Sequence, residues 1–110
     1  MKGPGDPCRR PVGVTEVEHV DASHIAELAR AFRALANPTR LKMLLFLKER
    51  ERYCGDMVKL FPLSQSTVSH HLKTLKDAGL VLVEERGTAT CYRVNEARLS
   101  AVKEALRALL

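Results

Sequence analysis

Two sets of side chains in this 110-residue sequence could do chemistry. The first is Ser64, Gln65, Ser66, Thr67, Ser69, His70 and Lys73, hydrogen-bonding groups on short or flexible stems with no acid among them. Such a set can read polar groups on base edges and lie against phosphate without repulsion. The second is three thiols, Cys8, Cys54 and Cys91. Thiolates are soft donors and select arsenite-like, mercuric, lead, cadmium or cuprous species over hard cations. Three cysteines with no CxxC pair suit neither a disulfide scaffold nor a zinc finger. No glycine-rich phosphate loop, no carboxylate pair in an apolar setting and no Ser/His/Asp arrangement stands out. An enzyme is therefore not expected, and no cofactor is required.

The polar set acts together only if one element presents it. PLSQSTVSHHLKTLKDAGLVLV reads as a turn, a helix from Ser64 to Ala78, a glycine stop and a strand. Ser64 can cap the helix by accepting a free first-turn amide. Val68, Leu72 and Leu75 recur at i, i+4 and i+7 and give one apolar stripe to bury. Gly79 supplies the left-handed residue that ends the helix.

Charge points to the same segment. The chain holds 18 basic and 13 acidic side chains, a formal net of +5. Residues 37–76 carry Arg40, Lys42, Lys48, Arg50, Arg52, Lys59, Lys73 and Lys76 against Glu49, Glu51 and Asp56, which is eight against three. That placement favours a polyanionic partner. No apolar run approaches the ~18 residues of a bilayer span. MKGPGDPCRRPVG lacks the apolar core of a secretory signal. A cytoplasmic protein with no membrane partner is expected.

In chain order, residues 1–20 read as a flexible arm rich in proline and glycine at its start, with a weak helical pattern over Val14–Val20. Residues 21–110 read as one domain. Its first helix, capped by Asp21 or Ser23, carries the stripe Ile25, Leu28, Ala29, Phe32 and Leu35. Asn37-Pro38 breaks the chain and starts a second helix, with Thr39 and Arg40 in its first turn. That helix is apolar nearly all round and is expected to be the most buried. Arg52 and Tyr53 read as an extended link. A short third helix follows, over about residues 54–61, with Met57, Val58, Leu60 and Phe61 inward. Joined to the reading helix by a tight turn, it makes a helix-turn-helix. Two β-rich runs around Arg86-Gly87-Thr88 then form a hairpin, placed as a wing. Asn95 caps a last helix with Leu99, Val102, Leu106 and Leu109 on one stripe. The fold expected is mainly α with a small β-hairpin: a winged helix-turn-helix of about five helices plus a wing. The stripes of the first and last helices exceed what one small core can cover, so these helices are expected to pair in a homodimer.

Read together, FRALANPTRLKMLLFLKE, PLSQSTVSHHLKTLKDAGLV and ERGTATCYRV resemble the ArsR/SmtB-type winged-helix repressors over about residues 30–95. The resemblance implies a homodimeric bacterial repressor that binds an inverted repeat in double-stranded DNA and releases it when an inducer binds. It implies that Ser66, Thr67, Ser69, His70 and Lys73, beside Ser64 and Gln65, face bases or phosphates. Arg86, Gly87 and Thr88 would form the wing tip, with Thr39 and Arg40 near the backbone. Gln65 is the amide best suited to adenine, and Lys73 better suits phosphate. His70 is expected at DNA, and His71 in packing or solvent.

The sequence departs from the family at the inducer site. Where one common type of relative has Cys-x-Cys-Asp on the third helix, this chain has Tyr53 and Gly55, with Cys54 between them. The other common type has histidine ligands on the last helix, and residues 95–110 contain none. A thiol site assembled from distant residues remains: Cys54, then Cys8 on the arm beside Arg9 and Arg10, then Cys91. Arsenite, antimonite or another soft metal ion is the candidate inducer. Oxidation or sulfide chemistry at the thiols, or no sensing at all, stays open. Cys54 could equally be a small packing residue, Cys91 in the second wing strand reads first as packing, and Cys8 could be an ordinary arm residue. A winged helix that binds protein rather than DNA is the distant alternative.

Overall fold

A computed structural model describes residues 22–110 of the chain. The arm with Cys8, the pattern over Val14–Val20 and the Asp21 cap lie outside the described residues. In order, the elements are α1 (Ala22–Leu35), α2 (Pro38–Glu49), β1 (Arg52–Tyr53), α3 (Cys54–Leu60), α4 (Gln65–Asp77), β2 (Val81–Arg86), β3 (Ala89–Val94) and α5 (Glu96–Leu109). Helices and hairpin follow the expected order, and the architecture is a winged helix-turn-helix.

Local chemistry sets most of the boundaries. Asn37 Oδ1 accepts from the amides of Thr39 (2.8 Å) and Arg40 (3.1 Å), with Pro38 next to it at the start of α2. Asn37 is thus a cap as well as a break. Ser23 lies inside the first turn of α1 rather than at its cap position. Asp56 Oδ2 accepts from the Tyr53 amide at 3.3 Å and fastens the start of α3. Gly79, at φ 79°, closes α4.

Arg52 and Tyr53 are more than a link. They pair antiparallel with β3, Arg52 opposite Tyr92 and Tyr53 opposite Cys91, so the sheet has three strands in the order β1-β3-β2. Buried Arg52 holds this strand down. Its Nε donates to the Phe46 carbonyl (3.3 Å), its Nη2 meets Glu49 (3.2 Å) and its guanidinium lies over the Phe46 ring.

The core is gathered under α4. Val68, Leu72 and Leu75 are fully buried with Met43, Met57 and Leu80. Burying each such side chain contributes about 1.5–3 kcal/mol. Rotating α4 to expose its stripe would forfeit that contribution three times over. The second helix is not the most buried one. Met43, Leu44 and Leu47 face inward, but Leu41 and Leu45, one turn apart, stand 43% and 55% exposed. They lie on a side of α2 that no other described element covers. On α1 the buried residues are Leu28, Ala31 and Ala34, whereas Ile25 and Phe32 of the expected stripe are largely exposed. Small alanines let α1 approach its neighbours and leave the larger side chains outside. Leu60 of α3 and Leu106 of α5 are also exposed, while Leu99 and Val102 are buried.

Candidate nucleic-acid interface

With its apolar stripe locked inward, α4 must turn its other side out. Gln65, Ser66, His70 and Lys73 are exposed there, and Thr67 and Ser69 are half-buried at the margin. Ser64 organises the first turn. Its Oγ accepts from the Thr67 amide (3.2 Å), donates to Thr67 Oγ1 (2.9 Å) and lies 3.1 Å from Ser66 Oγ. Lys73 Nζ donates to Asp77 Oδ2 at 2.9 Å, one turn along. That bond is the main reason the Asp77 carboxyl titrates below its ordinary range. The seven residues singled out from sequence thus lie on or around one helix start and one helix face.

Thr39 and Arg40 lie in the first turn of α2, and both are half-buried. The Arg40 guanidinium also ties three elements together. Nε donates to the Ala34 carbonyl (2.7 Å), Nη2 to the Arg33 carbonyl (3.3 Å), and Nη1 lies 3.3 Å from His71 Nδ1. A guanidinium can only donate, so the last bond requires an unprotonated Nδ1. Burial, then Arg40 and then His70, hold the His71 pKa below its usual value. His71 is half-buried, with its ring nitrogen toward Arg40.

At the wing, Gly87 takes φ 65° in the turn between Arg86 and Thr88, all three exposed. Arg86 is not free. It donates to Glu51 at 2.9 Å and to Glu84 at 3.0 Å, which ties the wing tip back to the chain before β1. The Glu51 carboxyl is correspondingly held below the usual carboxylate range, chiefly by the Arg86 hydrogen bond.

The two described thiols have different surroundings. Cys54, half-buried at the start of α3, places Sγ 3.9 Å from Ser69 Oγ on α4. Cys91 is 1% exposed in β3, opposite Tyr53 on one side and Glu84 on the other. Burial pushes its thiol pKa up. Among the described residues no three His, Cys, Asp or Glu side chains converge as a metal site.

Sequence reasoning passed over two features. Lys42 joins Thr39 and Leu63 along a cleft of about 300 Å³ beside the turn, where its charge had been counted but not placed. Arg30 and Arg33 of α1 border the C-terminal half of α4. Nothing in the local pattern brings α1 to α4, so no sequence signal marked them.

A buried-stripe helix with an exposed polar face, preceded by a short helix and followed by a β-hairpin, defines a winged helix-turn-helix protein. A profile of the bacterial regulatory proteins of the arsR family matches residues 37–83. The chain is 39% identical over 88 residues to a probable mercury resistance operon repressor of Streptomyces lividans, covering 80% of this chain and 70% of the relative. It is 36% identical over 72 residues to the arsenical resistance operon repressor of Bacillus subtilis, covering 64% and 69%. The solution structure of a homodimeric winged helix-turn-helix DNA-binding domain from Mycobacterium bovis superposes with a TM-score of 0.66 at 32% identity, covering 79% of this chain and 83% of that one. The chain belongs to the ArsR family of bacterial transcriptional regulators. No helix among the described residues is long and apolar enough to cross a membrane.

Proposed function

We propose that this protein is a homodimeric repressor that grips an inverted-repeat operator with α4 and the Arg86–Thr88 turn, and lets go when a thiophilic metal or metalloid engages Cys54. Two reading helices about 34–36 Å apart would enter successive major grooves on one face of the duplex. Exposed Ile25 and Phe32 on α1 and Leu106 on α5 support pairing through the first and last helices. The homodimeric relative supports it too.

The observation that carries the inducer half is the 3.9 Å contact between Cys54 Sγ and Ser69 Oγ. A ligand seated on the α4 side of this half-buried thiol would take the place of the Ser69 contact and press on α4, which carries the base-reading groups. A bound state that disfavours one arrangement of α4 shifts the population away from the DNA-binding form. Cys54 supplies one soft donor, and Cys8 is the proposed second. Cys91 is the weakest candidate because it is buried in other surroundings. Relatives that repress mercury and arsenical resistance operons support a soft inducer, arsenite or antimonite first.

The test is a titration of the reduced full chain on its own upstream DNA with arsenite, antimonite, mercuric, cadmium, lead and cuprous ions, read by gel shift. Release by at least one of them, abolished in Cys54→Ser, is expected. Release that persists unchanged in Cys54→Ser, or no release by any ion, overturns the inducer assignment. A reversible disulfide in place of a bound ion would transfer the role to thiol oxidation.

A further inference from the structure

We infer that the cleft between α1 and the C-terminal half of α4 is a second DNA contact, a seat for a backbone phosphate beyond the bases that α4 reads. This inference rests on α4 being the reading helix. The cleft measures about 240 Å³ and is bordered by Arg30 and Arg33 from α1, Arg40 from α2, and Thr74 and Asp77 from α4. Three guanidinium groups therefore face one carboxylate. That carboxylate is already engaged, because Lys73 donates to Asp77 at 2.9 Å and is the first cause of its lowered pKa, with Lys76 and Arg30 adding to it from further off. The cleft keeps a positive balance.

The arginines have different tasks. Arg40 is fixed by the Ala34 and Arg33 carbonyls and by His71, so its charge forms a rigid wall. Arg30 and Arg33 are exposed, and among the described residues neither side chain is held in a salt bridge. Their planar forks can close on a phosphate by paired hydrogen bonds. The position argues for DNA over a free anion. The Lys73–Asp77 pair stands between the reading face and the cleft, with Lys73 71% exposed. A strand whose bases meet α4 would carry its next phosphates past that pair to Arg30 and Arg33.

The test uses the full chain, two duplexes from its own upstream DNA and two double variants. The short duplex carries the bound core, and the long one extends it by about one helical turn (~10 bp) at each end. Affinities are measured by fluorescence anisotropy over a range of salt. Wild type should bind the long duplex several-fold tighter. Arg30→Ala with Arg33→Ala should erase that advantage, leave the short duplex unaffected and lower the long-duplex salt slope by about 1–2, near 0.9 for each phosphate no longer neutralised. Arg30→Lys with Arg33→Lys should keep most of the slope. Thermal melting and sedimentation of both variants check that fold and assembly are intact. Equal long-duplex affinity and slope for wild type and the alanine variant would overturn the site. So would inorganic phosphate binding to the free protein that the alanine variant abolishes while DNA binding at both lengths is unchanged, which would mark a free-anion site. Wild type binding neither duplex would overturn the reading of α4 itself, a failure distinct from the other two.

Discussion

Asn95 Nδ2 donates to the Gly79 carbonyl at 3.0 Å, linking the start of the last helix to the residue that ends the reading helix. The same side chain caps α5, its Oδ1 accepting from the Arg98 amide at 3.1 Å, and its own backbone amide donates to the Leu80 carbonyl. One residue thus serves two helices. Asn95→Ala should cost about 1–2 kcal/mol by chemical denaturation, from the missing cap and an unpaired carbonyl. Asn95→Asp keeps the acceptor and loses the donor. It should recover most of the α5 cap yet leave amides near Gly79 less protected in hydrogen exchange than in wild type. Equal protection in the two proteins would show that the Gly79 bond does not hold the end of α4.

Lys73 and Gln65 share a face but should fail differently. Lys73 is a point charge near the middle of the helix, and Asp77 lies within its reach. Lys73→Ala should weaken binding to every duplex and flatten the salt slope by about 1.8, near 0.9 for each of the two protomers. Gln65→Ala should leave the slope alone and relax preference at one base position, worth about 1–3 kcal/mol of discrimination. Binding to a panel of single-base operator variants at two salt concentrations separates the two. A Gln65 variant with an unaltered base profile would remove that residue from the reading set.

What could be read from sequence was local. Ser64, Gly79 and Asn95 declare helix ends through bonds made within a few residues, and Val68, Leu72 and Leu75 declare a face by spacing. What could not be read was made by pairing across the chain. Arg52 and Tyr53 become a strand only because Tyr92 and Cys91 lie opposite. Arg86 meets Glu51 across 35 positions, and Arg40 meets His71 across 31. No periodicity encodes such partners. The second helix misled for a related reason: a run of apolar residues shows that burial is available, not which neighbour supplies it. Leu41 and Leu45 therefore stay exposed among the described residues.

The Arg40–His71 contact gives a pH dependence with a definite sign. The His71 pKa is lowered in the folded chain, first by burial and then by Arg40 and His70. The folded state therefore binds that proton less readily than the unfolded state, whose histidine titrates near about 6.5. Its contribution is intact above about pH 6.5 and is lost as pH falls through the folded value. Protonation would also put a cation against the Arg40 guanidinium. Urea midpoints should fall from pH 7.5 to pH 5.5, starting above the range where Glu51 and Asp77 begin to titrate. In His71→Asn the decline should be shallower. An identical slope in that variant would assign the pH effect to other groups.

The two described thiols should react in a fixed order. Cys54 is half-buried at the start of α3, with Ser69 beside it. Cys91 is almost fully buried, and its pKa is raised mainly by that burial. The nucleophile in alkylation is the thiolate, so low access and a raised pKa slow Cys91 together. Under native conditions at neutral pH, iodoacetamide should modify Cys54 well before Cys91, as timed by peptide mass spectrometry. Glu51→Gln removes the charge of one of the two carboxylates that hold Arg86 beside this thiol. It should speed labelling of Cys91 with little effect on Cys54, because it loosens the wing and leaves α3 in place. Simultaneous labelling of both thiols in the wild-type protein would mean that the sheet around Cys91 opens far more readily than its burial implies.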